Sequence, residues 1–133
     1  MNTVFVVMLM IFAHIVDDYY LQGWLASAKQ KEWWKKNAPE QLYRFDYVWA
    51  LIMHSLSWSF MIMLPLAYVY SFNVDVLFVV IFLENAFCHG VTDNLKANKR
   101  TINLWTDQLI HMAQITITAI ILLWQRRRIK DEY

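Results

Sequence analysis

His14, Asp18 and Gln22 stand four residues apart in a stretch that otherwise reads as hydrocarbon. On a helix that spacing places all three on one face. The arrangement recurs downstream, with His89 four residues before Asp93 and Asp107 four residues before His111. All four histidines, His14, His54, His89 and His111, fall in apolar segments. Imidazole nitrogens and carboxylate oxygens are the ligands of Zn, Mn and Fe(II), and helical bundles mount them on facing helices at this spacing. An ionisable line in an apolar helix is costly, and it faces a bundle interior or a wet cavity. The chemistry in view is a divalent metal site, with Zn the first choice and Mn or Fe the alternatives.

The elements that must position these groups follow from composition. The chain has 133 residues, 59% hydrophobic and 17% aromatic, with two glycines and two prolines. That is one domain's length and more apolar than an ordinary soluble domain. A formal charge of +1 excludes the broad basic excess that nucleic-acid binding needs. The single cysteine, Cys88, rules out an internal disulfide and reads as a buried thiol, with ligation open because His89 is its neighbour. The N-terminal apolar run has no basic n-region and no small-residue cleavage site before Asp17-Asp18-Tyr19-Tyr20, so it reads as a membrane helix of the mature protein.

A spanning helix needs about 20 apolar residues. Four segments qualify, at 3–25, 46–69, 74–96 and 101–124 of a single 1–133 membrane domain. The expectation is an all-α, four-helix transmembrane bundle. Between the first two spans lies Lys29 to Arg44, where Trp33 and Trp34 sit beside Lys31, Lys35 and Lys36. Tryptophan beside lysine suits a membrane–water interface, and Pro39 breaks any single helix through the segment. Pro65 is expected to be tolerated within the second span. Loops 29–44 and 97–100 share one side. That side carries Lys29, Lys31, Lys35, Lys36, Arg44, Lys96, Lys99 and Arg100, against Arg126, Arg127, Arg128 and Lys130 on the terminal side. Eight against four places the loops in the cytoplasm of an inner membrane, although the arginine cluster pulls the other way.

Counted inward from the loop side, all the His and Asp groups fall within about 12 Å of depth at roughly 1.5 Å per residue. Scattered polar residues would not align on four helices. The proposed ligands are His14, Asp18, His89, Asp93, Asp107 and His111, with His54 a ligand or proton shuttle. Asp107 doubles as the candidate general base. Gln22, Gln108 and Asn85 are placed to hydrogen-bond a ligand, water or substrate oxygen, and Lys29 and Lys96 to meet an anion at the mouth. Three pairs exceed one tetrahedral ion, which suits a two-metal site or histidines oriented by outer carboxylates. Asp17 points about 100° from Asp18, and Asp18 continues the His14 line. Glu84 reads as buried, a further ligand or a helix ion pair. The methionines, tryptophans and tyrosines read as packing and belt.

With those residues quoted, the chain resembles the small bacterial and phage membrane proteins grouped under domain of unknown function 3307. The likeness rests on H-x3-D-x3-Q at His14, Asp18 and Gln22 with Lys29 following, then His54, then His89, Asp93 and Lys96, then D-Q-x2-H at Asp107, Gln108 and His111. It covers nearly the whole chain in order and departs in the long polar loop and the basic tail. It implies membrane insertion and brings no activity. A looser, fold-level likeness is to inner-membrane metal-dependent hydrolases. The functional expectation is a metal-dependent hydrolase acting on a lipid or lipid-linked phosphate or ester. The alternatives are a proton or metal-ion conductor, completed by oligomerisation, and a non-catalytic interaction protein whose His–Asp pairs fix helix register.

Overall fold

In the computed structural model, which describes residues 2–131 and side chains through 128, the chain is all helical. The ends of the 1–133 range and the Lys130 side chain lie outside the described residues. Helix α1 spans Thr3–Val16 and runs on through a π turn, Asp17–Leu21. Short helices α2 (Leu25–Ala28) and α3 (Lys31–Asn37) and a 3-10 turn, Gln41–Tyr43, lead to α4 (Asp46–Val69). Helix α5 (Val76–Asn94) also ends in a π turn, Leu95–Lys99, before α6 (Leu104–Asp131). Four of these stretches are long and apolar enough to cross a membrane, Thr3–Leu21, Gln41–Val69, Val76–Lys99 and Leu104–Arg128. They pack as a bundle in which α1 and α5 each lie against α4 and α6.

Local chemistry sets the ends. Asn2 caps α1 by accepting from Val4 N, Asp75 caps α5 by accepting from Phe78 N, and Asn103 caps α6 through Thr106 N. Gly23 adopts φ +50°, a left-handed conformation that glycine takes freely, and the first span stops there. The expected run to residue 25 is therefore broken, and Leu25 begins a separate helix. Pro39 follows the end of α3, whereas α4 stays continuous through Pro65. Between spans one and two, Trp24, Trp33, Trp34 and Tyr43 form an edge-to-face and stacked aromatic cluster.

The terminal half of the bundle is apolar. Val6, Met10, Ile62, Met63, Leu66, Ile81, Ile115 and Leu122 fill it as one buried cluster. At its end Tyr70 donates to the Leu122 carbonyl at 2.6 Å. Burial and the neighbouring Asp75 carboxylate push the Tyr70 phenol above its ordinary value, so it remains a donor. Helices α4 and α5 approach closely where Gly90 faces Ser55, since a Cβ on Gly90 would lie 2.8 Å from Ser55 Oγ. That hydroxyl is fixed by a 2.6 Å bond to the Leu51 carbonyl. Small residues at such crossings let membrane helices pack backbone to backbone.

Gly90→Ala should accordingly lower the thermal midpoint in detergent, because overpacking costs about 1–3 kcal/mol and outweighs a gain in helix propensity of about 1 kcal/mol. In a Ser55→Ala background the collision is gone, and the same substitution should raise the midpoint. One sign in both backgrounds would mean that the contact does not set the crossing.

Candidate metal centre

Each long helix sends side chains to one buried point in the loop-side half: His14, Asp17 and Asp18 from the first span, His54 from α4, His89 and Asp93 from α5, and Asp107 and His111 from α6. The four-residue spacing keeps each pair on its inward face. All four histidines are at most 1% exposed.

The tightest convergence joins three helices. His54 Nε2 lies 3.1 Å from His89 Nε2 and 3.3 Å from Asp18 Oδ1, and His89 Nε2 lies 3.9 Å from that same oxygen. Three donors bound to one tetrahedral ion at about 2.0–2.1 Å sit roughly 3.3 Å apart. These atoms therefore outline one face of a coordination tetrahedron, and Asp93 Oδ2 lies beside it, 3.4 Å from His54 Nε2 and 3.8 Å from His89 Nε2. Asp18 Oδ1 has no hydrogen-bond partner among the described residues. A second cluster that could hold a metal combines His89, Asp93 and His111. His111 Nε2 faces Asp93 Oδ1 at 3.7 Å and Asp107 Oδ1 at 3.5 Å, and both His111 Nε2 and Asp107 Oδ1 lack hydrogen-bond partners among the described residues. Buried polar atoms left in this state are costly, and their grouping marks a place for a cation or a proton.

Charge makes the same demand. Asp17, Asp93 and Asp107 are buried together with the Asp18 side chain, which is 8% exposed, and two ammonium groups answer them. Lys29 Nζ meets Asp93 Oδ2 at 2.5 Å and Lys96 Nζ meets Asp107 Oδ2 at 2.5 Å. Four carboxylates against two lysines leave a deficit of two positive charges, which one dication or two histidine protons would fill. The lysines were expected near the mouth, to meet an anionic group. Both line the loop-end cavity and both are paired with a buried carboxylate, because an unpaired buried carboxylate costs more than a paired one. Lys29 is held there by Asn98, whose side-chain amide donates to the Lys29 carbonyl at 3.0 Å while its oxygen accepts from Lys31 N at 2.7 Å. The start of the 29–44 segment thus covers the centre from the loop side.

Outer groups orient the donors. Asp17 reaches the interior because the π turn adds a residue to the helical repeat, so two consecutive aspartates can face inward. It accepts from Ser57 Oγ at 2.6 Å, and its other oxygen faces His54 Nδ1 at 3.6 Å. A carboxylate behind a histidine whose far nitrogen points at the site is the usual outer-shell support of metal ligands. His111 Nδ1 lies 3.2 Å from Gln114 Oε1, and the Gln114 amide is steered by donating to the Asn85 carbonyl.

His14 stands differently. The Trp58 indole donates to its Nδ1 at 2.8 Å, which puts the proton on Nε2, and that nitrogen donates to Gln108 Oε1 at 3.0 Å. Neither nitrogen of His14 is free for an ion in this arrangement. Gln108 also donates to Asp107 Oδ2 at 3.1 Å and so bridges the two residues. Gln22 is turned back on its own helix, donating to the Asp18 carbonyl at 2.8 Å, and does not join the centre. Asn85 donates to Thr118 Oγ1 at 2.8 Å, below the cluster. Glu84, expected to be buried, lies on the exposed outer face of α5, since the inward register of that helix passes through Asn85 and His89. Cys88 is half-buried and belongs to neither donor cluster. Trp58 was read as packing. It is fully buried, stacks on the His89 ring at 4.2 Å and fixes the His14 tautomer. The sequence signal for it was position alone, four residues after His54 on the same face of α4.

No family model, curated protein or solved structure matches the chain. The fold and the site by themselves define a four-helix apolar bundle, suited to a lipid bilayer, with buried His/Asp clusters that could bind metal.

Lys29→Met should destabilise the metal-free protein by about 3–5 kcal/mol, because it strands the Asp93 carboxylate. Adding a dication should recover much of that loss. Unfolding in SDS followed by circular dichroism reads both values, and a variant as stable as wild type without metal would show that the pair does not hold the charge.

Proposed function

We propose that the centre holds a divalent ion on Asp18, His54 and His89, and that the protein is a metal-dependent hydrolase of lipid-linked phosphates or esters. The carrying observation is the 3.1–3.9 Å triangle of donor atoms, one of them a carboxylate oxygen with no hydrogen-bond partner among the described residues. This ligand set replaces the broader one read from the pairs. His54 becomes a ligand, His14 a support through Trp58 and Gln108, and Asp107 and His111 the adjacent acid–base pair.

Held by Asp18, His54 and His89, a divalent ion would supply a water of pKa about 7 and polarise a phosphoryl or carbonyl oxygen. Asp107 would take the proton of the attacking water and return it to the leaving alkoxide, so that hydrolysis of the phosphorus–oxygen or carbon–oxygen bond balances. Asp107 is suited to the task because one oxygen is unpartnered while the other is pinned by Lys96 and Gln108. The excess of Lys and Arg in the loops supports reading the site as lying in the cytoplasmic half of an inner membrane, and the resemblance to the domain of unknown function 3307 proteins belongs to this same reading. A conductor is less well supported, because the buried apolar cluster from Val6 to Leu122 closes the terminal half.

Purified full-length protein should carry near-stoichiometric Zn, Mn or Fe by elemental analysis, and His54→Ala and His89→Ala should each lose it. Asp17→Asn should weaken metal affinity about 10–100-fold without abolishing it, as outer-shell losses do. No metal in wild type after resupply without chelator would sink the reading. Proton flux in liposomes would then favour a relay, and the absence of flux a purely structural role for the pairs.

A further inference from the structure

Two cavities meet at the edge of the centre. The first, of about 410 Å³, opens at the loop end and is lined by Asp18, Gln22, Lys29, Lys96 and Arg100 among others. The second, of about 530 Å³, runs down the outside of the bundle between the first span and α6, lined by Ile11, Ile15, Tyr20 and Met112. They share Tyr19 and Gln108. The first is polar and cationic at its rim, whereas the second is apolar and faces where acyl chains would lie. Both volumes fall in the range of about 300–1,000 Å³ typical of ligand pockets.

We propose that chamber and groove form one lateral binding site for an anionic lipid with a single phosphate headgroup. The phosphate sits in the chamber and an acyl chain lies in the groove between the first span and α6. Arg100 is the charge that favours an anion, because Lys29 and Lys96 are already matched by Asp93 and Asp107. Lys29 and Lys96 are paired to carboxylates, but each ammonium has three donors, and Arg100 forms no ion pair among the described residues. Arginine presents a planar fork that suits phosphate oxygens. The shared wall also fixes the direction of approach. A lipid lying along Ile11 and Ile15 brings its headgroup past Tyr19 and Gln108 to Asp18, a ligand of the proposed ion. An alternative groove of about 450 Å³ between α4 and α5 is lined by Leu51, Ile52 and Phe87 and offers no cation. This inference deepens the hydrolase reading by naming its substrate class and route, and it is tested by binding alone, so either can fail without the other.

The test titrates full-length protein in detergent micelles with dioleoyl phosphatidic acid, dioleoyl phosphatidylcholine and glycerol 3-phosphate, counting bound molecules by native mass spectrometry with and without chelator. Phosphatidic acid should bind at least tenfold tighter than either comparator. Arg100→Gln, at an exposed turn, should remove most of the preference over phosphatidylcholine. Met112→Trp, which fills the groove, should weaken phosphatidic acid at least tenfold and leave glycerol 3-phosphate unchanged, while Phe87→Trp, at an exposed position of the α4–α5 groove, should change neither. Equal binding of the two lipids would overturn the proposal. So would an unaltered preference in Arg100→Gln, or glycerol 3-phosphate binding as tightly as phosphatidic acid, which would make the chamber a site for free phosphate. Loss of binding only in chelator would tie the lipid to the ion, and preference in both conditions would show a site that stands without it.

Discussion

Four carboxylates buried within an apolar bundle are the constraint on which this structure depends. Desolvating one ion costs several kcal/mol after relaxation, and that cost is recovered only by close partners. Asp93 and Asp107 have theirs in Lys29 and Lys96, both supplied from the loop side. Asp17 and Asp18 have only histidines, a serine and each other's neighbourhood. The loop-side architecture follows from this imbalance. Residue 29 must come inward, so the first span stops at Gly23 and α2 turns back over the bundle. Asn98 ties the Lys29 backbone to the π turn at the end of α5, and that turn also carries Lys96. The cover over the centre is therefore part of its electrostatics.

The bundle itself and the depth of the polar layer were legible because both depend on periodicities that the sequence carries directly. Apolar runs of spanning length give the helices, and i, i+4 pairs at matched depth give the inward faces. What was hidden depends on local departures from that period. Asp17 looked misdirected on a regular α-helix, and a π turn over Asp17–Leu21 brings it in behind His54. The spacing makes His14 a ligand and leaves His54 a ligand or proton shuttle, yet His14 is consumed by Trp58 and Gln108 while His54 turns Nε2 toward His89 and Asp18. Neither the Trp58 bond nor the Gln108 bridge has a sequence spacing, since each joins different helices. Glu84 was misread for a simpler reason. Within an apolar run, hydropathy does not tell the inner face from the outer one, and only the register set by Asn85, His89 and Asp93 does so.

The polar layer occupies one half of the bundle and a packed hydrocarbon core the other, and that asymmetry bears on function. A conduit needs polar partners along its length, because each ion or proton must be handed on. Below the centre the polar chain runs from His111 through Gln114 and Asn85 to Thr118 and then meets Ile115, Ala119, Leu66 and Leu122. The polar pair Tyr70–Gln125 lies at the far end of the bundle, with Asp75 bonded to Gln125. An apolar plug between two polar ends suits a chamber loaded from one side.

The same charge deficit can be met by a dication or by two protons, and the two solutions ask for different geometry. Protons would be placed where single nitrogens face carboxylates, as His111 Nε2 does between Asp93 and Asp107. A metal needs several lone pairs aimed at one point. His54 and His89 turn Nε2 toward Nε2 at 3.1 Å, with an unpartnered aspartate oxygen beside both. A lone N–H···N hydrogen bond would satisfy the two nitrogens and still leave that oxygen stranded. An ion satisfies all three atoms at once. The centre thus divides into a donor face that could bind a metal and a neighbouring His–Asp pair whose nitrogen faces two carboxylates.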